Sequence, residues 1–130
     1  FKGIDTLHKL YAVLRKSWSS STAYKSCQSE WVSEDPSYGQ CAITATLVYD
    51  MFGGSIHRIR VEGGGTHYFN KITGQYVDLT REQFDLYNIE VAYEPNETMQ
   101  REYCCKNSDT NARYRQLQRN IIAYLKNNED

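Results

Sequence analysis

From Gly39 to Tyr49 the chain carries no charged residue. At helical spacing Ala42, Ala45, Val48, Tyr49 and Phe52 form one face, and Ile43 and Leu47 widen it. A face that wide predicts a helix from about Tyr38 or Gly39 to Phe52, buried over most of its surface. Gly53-Gly54 stops it, because glycine tolerates the left-handed backbone on which helices end. The period then changes to two. From Ser55 to Glu62, Ile56, Arg58 and Arg60 alternate with His57, Ile59 and Val61, the pattern of a strand. A buried helix that passes straight into a strand is restricted to mixed folds, where helices cover a sheet.

The rest of the chain reads in the same terms. Gly63-Gly64-Gly65 predicts a turn, Thr66 to Lys71 a second strand, Thr73-Gly74 another turn and Gln75 to Leu79 a third strand. Three strands joined by tight turns make an antiparallel meander. Arg81 to Phe84 begins a helical turn that Thr80 can cap, and residues 88–93 alternate as a further strand would. Pro95 to Asp109 carries no periodic signal. Ile4, Leu7, Leu10, Tyr11, Leu14 and Trp18 predict a first helix, capped by Asp5 or Thr6. Tyr114, Leu117, Ile121, Tyr124 and Leu125 predict a last one, packed near the first. Trp31-Val32 stands as an apolar anchor in a polar stretch, and Arg113, Arg115 and Arg119 as a solvated stripe. The expectation is one α+β domain over residues 1–130.

Composition removes several function classes. Lys+Arg is 15 against 16 Asp+Glu, a net charge of −1, which argues against a broadly basic nucleic-acid binder. No apolar run approaches the roughly 18 residues of a membrane span. The four cysteines, Cys27, Cys41, Cys104 and Cys105, contain no C-x-x-C pair, and the spacing of His57 and His67 matches no familiar zinc pattern. Reduced thiols, a cytoplasmic location and no metal, cofactor, membrane or nucleic acid are the expectations.

Cys41 falls in the first turn of the central helix. There the helix dipole and the free N–H groups favour a thiolate and can hold a developing oxyanion. Gly39 before it allows a sharp turn and a close approach of substrate. A thiol nucleophile needs a base, and the base an orienting group. His67, near the start of a strand after a glycine turn, is the candidate base. Asp78 on the next strand is the candidate orienter. A four-residue loop would set His67 opposite Asp78, and a two-residue loop at Thr73-Gly74 would make them diagonal neighbours. Both arrangements put the two residues on one face. Asn70 is offset from His67 by three and belongs to the opposite face. Asp78 or Thr80 can also cap the turn that follows.

The strings Gly39-Gln40-Cys41-Ala42, Gly53-Gly54, His67-Tyr68-Phe69-Asn70 and Asp78-Leu79-Thr80-Arg81-Glu82-Gln83-Phe84 closely resemble the YunG-like family of small bacterial proteins. The resemblance covers about residues 18–90. The order of cysteine, histidine and acid is similar to that of papain-like, NlpC/P60-like and transglutaminase-like thiol enzymes. That resemblance implies a papain-like α+β fold with Cys41, His67 and Asp78 as catalytic residues. Gly39, Gln40 and Asn70 would be oxyanion or substrate-binding groups, with Gln28 as a further oxyanion candidate. The function it implies is a cysteine hydrolase or acyltransferase acting on a peptide, amide or thioester. A non-catalytic domain that binds a peptide or partner in the same cleft is the alternative.

Overall fold

The computed structural model describes residues 1–61, 65–104 and 106–128. In chain order the elements are α1 (Leu7–Ser17), α2 (Cys41–Phe52), β1 (Ser55–Arg60), β2 (Thr66–Ile72), β3 (Gln75–Val77), the single turn α3 (Glu82–Asp85), β4 (Glu97–Met99), the single turn α4 (Arg101–Cys104) and α5 (Ser108–Asn127). Two 3-10 turns, Ser20–Thr22 and Lys25–Glu30, lie between α1 and α2. Glu62 and Gly63-Gly64 of the proposed first strand and turn lie outside the described residues, as does Cys105.

Helix α2 is the middle layer. Ile43 to Val48 are buried without interruption. On one side Ala45 meets Ile56, Tyr68, Met99 and Cys104 from the sheet and α4. On the other side Ile43, Leu47 and Val48 join Leu10, Leu14 and Trp18 of the α1 segment and Tyr114, Leu117 and Ile121 of α5. The Trp18 indole N–H reaches into this layer and donates to Thr44 Oγ1 at 3.0 Å. The apolar face is narrower at its end than the sequence predicts, and Tyr49 is partly exposed there.

The sheet is antiparallel in the order β3-β2-β1-β4. At Gly54, φ is +77°, and an added Cβ would lie 2.3 Å from the Lys71 carbonyl oxygen, so glycine is required where α2 hands over to β1. Ile72 pairs with Gln75 across a two-residue turn, which makes His67 and Asp78 diagonal rather than directly opposite. The third strand ends at Val77, short of Leu79, because the Asp78 side chain turns back to accept from Thr80 N at 3.1 Å. That side-chain turn competes with further pairing.

Three sequence expectations are corrected. Residues 88–93 form no strand: Asn88 has φ +56° and Tyr93 is drawn to Asp78 by its hydroxyl. The fourth strand is Glu97–Met99, supported by the Glu97 carboxylate on Arg58 of the paired strand. Of the expected Trp31-Val32 anchor, Val32 is 48% exposed, while Trp31 is half-buried and its indole N–H donates to the Pro36 carbonyl at 3.1 Å. Arg113 leaves the solvated stripe. It is 4% exposed and donates to the Thr22 carbonyl at 3.1 Å, a buried acceptor that needs a partner.

The terminal helix packs on α1 as its stripe predicts, and Asn120 Nδ2 adds a bond to the Ser17 carbonyl at 2.9 Å. Leu117 is fully buried there. Leu117→Ala should lower stability by about 2–5 kcal/mol, read as a lower urea midpoint at unchanged slope. An unchanged midpoint would remove α5 from the core.

Candidate functional site

The position of Cys41 is set by the residues just before it. Gln40 is fully buried, and its side chain accepts from Thr22 Oγ1 at 2.8 Å and donates to the Ser19 carbonyl at 3.1 Å. It therefore ties the start of α2 to the turn after α1, and the structure does not bring its side chain into the cleft beside Cys41. Gly39 has φ +75°, and an added Cβ would sit 3.0 Å from the Cys27 Cβ and 3.2 Å from that of Ala23. Its carbonyl accepts from Tyr24 N at 2.8 Å. Glycine here lets the chain pass close under the Lys25–Glu30 turn and then enter the helix.

The thiol comes to rest at an edge of the sheet. Pairing between β2 and β3 stops at Asn70 and Val77. Just beyond, the Tyr68 backbone N–H donates to the Cys41 sulfur, which also hydrogen-bonds the His67 side chain. The early end of β3 thus opens a strand edge that the thiol occupies.

His67 is 1% exposed, and its Nε2 lies 2.7 Å from Asp78 Oδ2. That engagement leaves Nδ1 as the nitrogen for the thiol. Asp78 in turn is held on both oxygens. Oδ2 accepts from Tyr93 Oη at 2.8 Å, and Oδ1 accepts from the backbone N–H and hydroxyl of Thr80 at 3.1 and 3.2 Å. Neither Asp78 nor Thr80 provides the cap that the sequence suggests for the turn that follows: Asp78 bonds Thr80 ahead of it, and the Gln83 N–H of that turn donates to Ser37 Oγ at 3.0 Å. The Phe84 ring stands edge-on to the imidazole at a centroid distance of 4.7 Å. Phe84 is placed by α3, whose Glu82 carboxylate is bound by Tyr11 at 2.9 Å and by Arg15 of α1.

Burial and charge act against each other in this group. Burial pushes the Cys41 thiol up, but the hydrogen bond and charge of His67, with the Tyr68 N–H, bring it below the ordinary thiol value; the charge of Asp78 opposes them. Burial also disfavours the imidazolium, yet the bonds to Asp78 and Cys41 outweigh it and His67 is pushed up to about 9. Burial and the charge of Asp78 keep the Tyr93 phenol protonated well above its ordinary range, so it serves as a donor. Each group thus favours the charged form of the other, the imidazolium of His67 and the thiolate of Cys41.

Cys41 and His67 open onto a cleft of about 580 Å³ whose wall includes Tyr24, Gly39, Tyr68, Gln83, Phe84 and Tyr103. Asn70 does not join it. Asn70 donates from Nδ2 to the Ala45 carbonyl of α2 at 2.9 Å and fastens the sheet to the helix. Gln28 is likewise committed, donating to the Ala23 carbonyl at 3.2 Å. Among the described residues no three His, Cys, Asp or Glu side chains come together as metal ligands. His57 instead bridges Ser55 Oγ at 2.7 Å and Asn96 Oδ1 at 2.9 Å. Tyr93 and the Tyr68 N–H escape sequence reasoning. Tyr93 sits in a segment without regular structure, and a backbone donor becomes visible only when the register is known. Phe84 closes a string already noted for its resemblance, and that was the available signal.

The YunG protein family model matches residues 6–126, and the chain belongs to that family. The uncharacterized protein YunG of Bacillus subtilis (strain 168) is 42% identical over 72 residues, covering 55% of this chain and 57% of the relative. The chain thus aligns with little more than half the length of that curated relative. No solved structure matches it.

Asp78→Ala should remove the larger support of the imidazolium and lower the His67 value from about 9 by about 1–3 pH units, measured by NMR titration of the ring protons. A histidine that still titrates near 9 in the variant would place the whole effect on Cys41.

Proposed function

We propose that this YunG family member is a cysteine-dependent hydrolase or acyltransferase acting on a peptide, amide or thioester, with a site laid out like that of papain-like and NlpC/P60-like enzymes. The observation that carries the reading is the linked chain from Cys41 through His67 to Asp78 at the mouth of a cleft. Few structural roles need a buried imidazole held between a thiol and a carboxylate, because burying such charges is costly unless each is paired.

The Cys41 thiolate attacks the carbonyl carbon, and the carbonyl π electrons move onto oxygen. The oxyanion forms beside the first turn of α2, which no side chain caps, so its free N–H groups point at the new charge. As the tetrahedral adduct collapses, the bond to the leaving group breaks and the His67 imidazolium delivers its proton to the departing nitrogen or sulfur. The acyl group is then a thioester on Cys41. Neutral His67 takes a proton from water or an acceptor amine, whose oxygen or nitrogen attacks that thioester. Collapse releases the acid or the new amide and restores the thiolate and imidazolium. Asp78 holds the ring so that Nδ1 faces the sulfur throughout, and Tyr93 and Thr80 hold Asp78.

The pH dependence follows in sign. Cys41 is held below the ordinary thiol value and His67 is held protonated to about 9. The ion pair therefore persists from the lowered thiol value up to about 9. Alkylation of Cys41 by iodoacetamide should be fast at pH 7, and His67→Ala should move its rise toward the ordinary thiol range, about 8.5. A phenyl thioester should add its acyl mass to the Cys41 peptide and not to the Cys41→Ser chain. A thiol that stays inert at pH 7 until the protein is unfolded would refute the reading.

A further inference from the structure

We propose that the cleft selects an acyl substrate carrying a free carboxylate, which Lys106 in the cleft lining receives. This names the substrate class for the thiol site and rests on that reading.

The wall beside Cys41 is aromatic, with Tyr24, Tyr68 and Phe84 offering ring surface to a chain lying in the cleft. The same cleft is lined by Tyr103 of α4, by Lys106 in the link between α4 and α5, and by Arg113 of α5. No Asp or Glu lines the cleft among the described residues. The two cations differ in what they have left to give. Arg113 is 4% exposed and committed: its guanidinium bonds Asp109, the Thr22 carbonyl and Thr110, and lies over the Tyr24 ring at 5.6 Å. Lys106 is exposed, and its Nζ lies 4.4 Å from the Tyr103 ring centroid. It makes no ion pair among the described residues, whereas Lys9, Arg15, Arg58, Arg81, Arg101 and Arg113 all do.

A ring face orients an ammonium without cancelling its charge, so the three donors of Lys106 stay available. The next residue fixes the backbone beside it. Asn107 caps α5, accepting from Thr110 N at 2.6 Å. An acyl chain with its carbonyl at Cys41 and its body on the rings would bring a terminal carboxylate toward this ammonium. The same positive wall would repel a cationic chain.

The probes are 6-maleimidohexanoate and its neutral primary amide, which react with a thiolate alike and differ only in charge at the end of the chain. Rates are read at the Cys41 peptide by mass spectrometry, at pH 7 and low salt. The wild type should favour the anionic probe by about two- to fivefold, with the preference shrinking in 0.5 M salt. Lys106→Glu should invert the preference, and Lys106→Gln, which keeps the stem, should abolish it. Equal rates in the wild type, or a preference that neither variant moves, would overturn the carboxylate proposal while leaving the thiol reading standing. A Cys41 that reacts with neither probe would overturn both.

Discussion

A helix without charge over most of its length has to be covered on both sides, and α2 is such a helix. The sheet takes one flank and the α1–α5 pair the other. What remains in contact with solvent is its ends, so chemistry at α2 belongs at an end. At the far end the Asp50 carboxylate is already engaged, by two bonds from Arg101 at 2.7 Å each and a third from Tyr114. The near end, at Cys41, opens on the cleft.

Holding that end requires polar groups inside the fold, and each has its partners. Gln40 fastens the start of the helix to the Ser19–Thr22 turn, and Asn70 fastens its second turn to the sheet. Asp78 collects His67, Tyr93 and Thr80. Removing one member from such a set leaves the others desolvated and unpaired, a larger loss than the net worth of the bond itself.

The central helix, the meander and the relation of His67 to Asp78 were legible because periodicity alone fixes them. Any even loop puts those two residues on one face, and the observed two-residue turn is one such loop. Gln40 was misread because standing next to Cys41 says nothing of where its side chain points; it precedes the first helical residue and turns inward. Arg113 was misread because a charge on a helix ordinarily signals water, and the buried Thr22 carbonyl that claims it lies far away in sequence. Tyr93 belongs to a segment whose course is set by its hydroxyl finding Asp78, a tertiary contact with no local signature. The family resemblance read from the Cys41, His67 and Asp78 strings agrees with a family match that runs on through α5.

The pairing of α1 with α5 joins residues 103 positions apart in sequence, Ser17 and Asn120. A ribosome synthesises a chain from the N-terminus, so α2 emerges long before the helix that covers part of it. Until α5 arrives, the cluster that holds Ile43, Leu47 and Val48 lacks Tyr114, Leu117 and Ile121. Contacts between such distant parts form late, and an apolar surface waiting for them invites association with other chains. A chain interrupted within α5 would therefore leave this face of α2 uncovered, and association with other chains would be the first consequence.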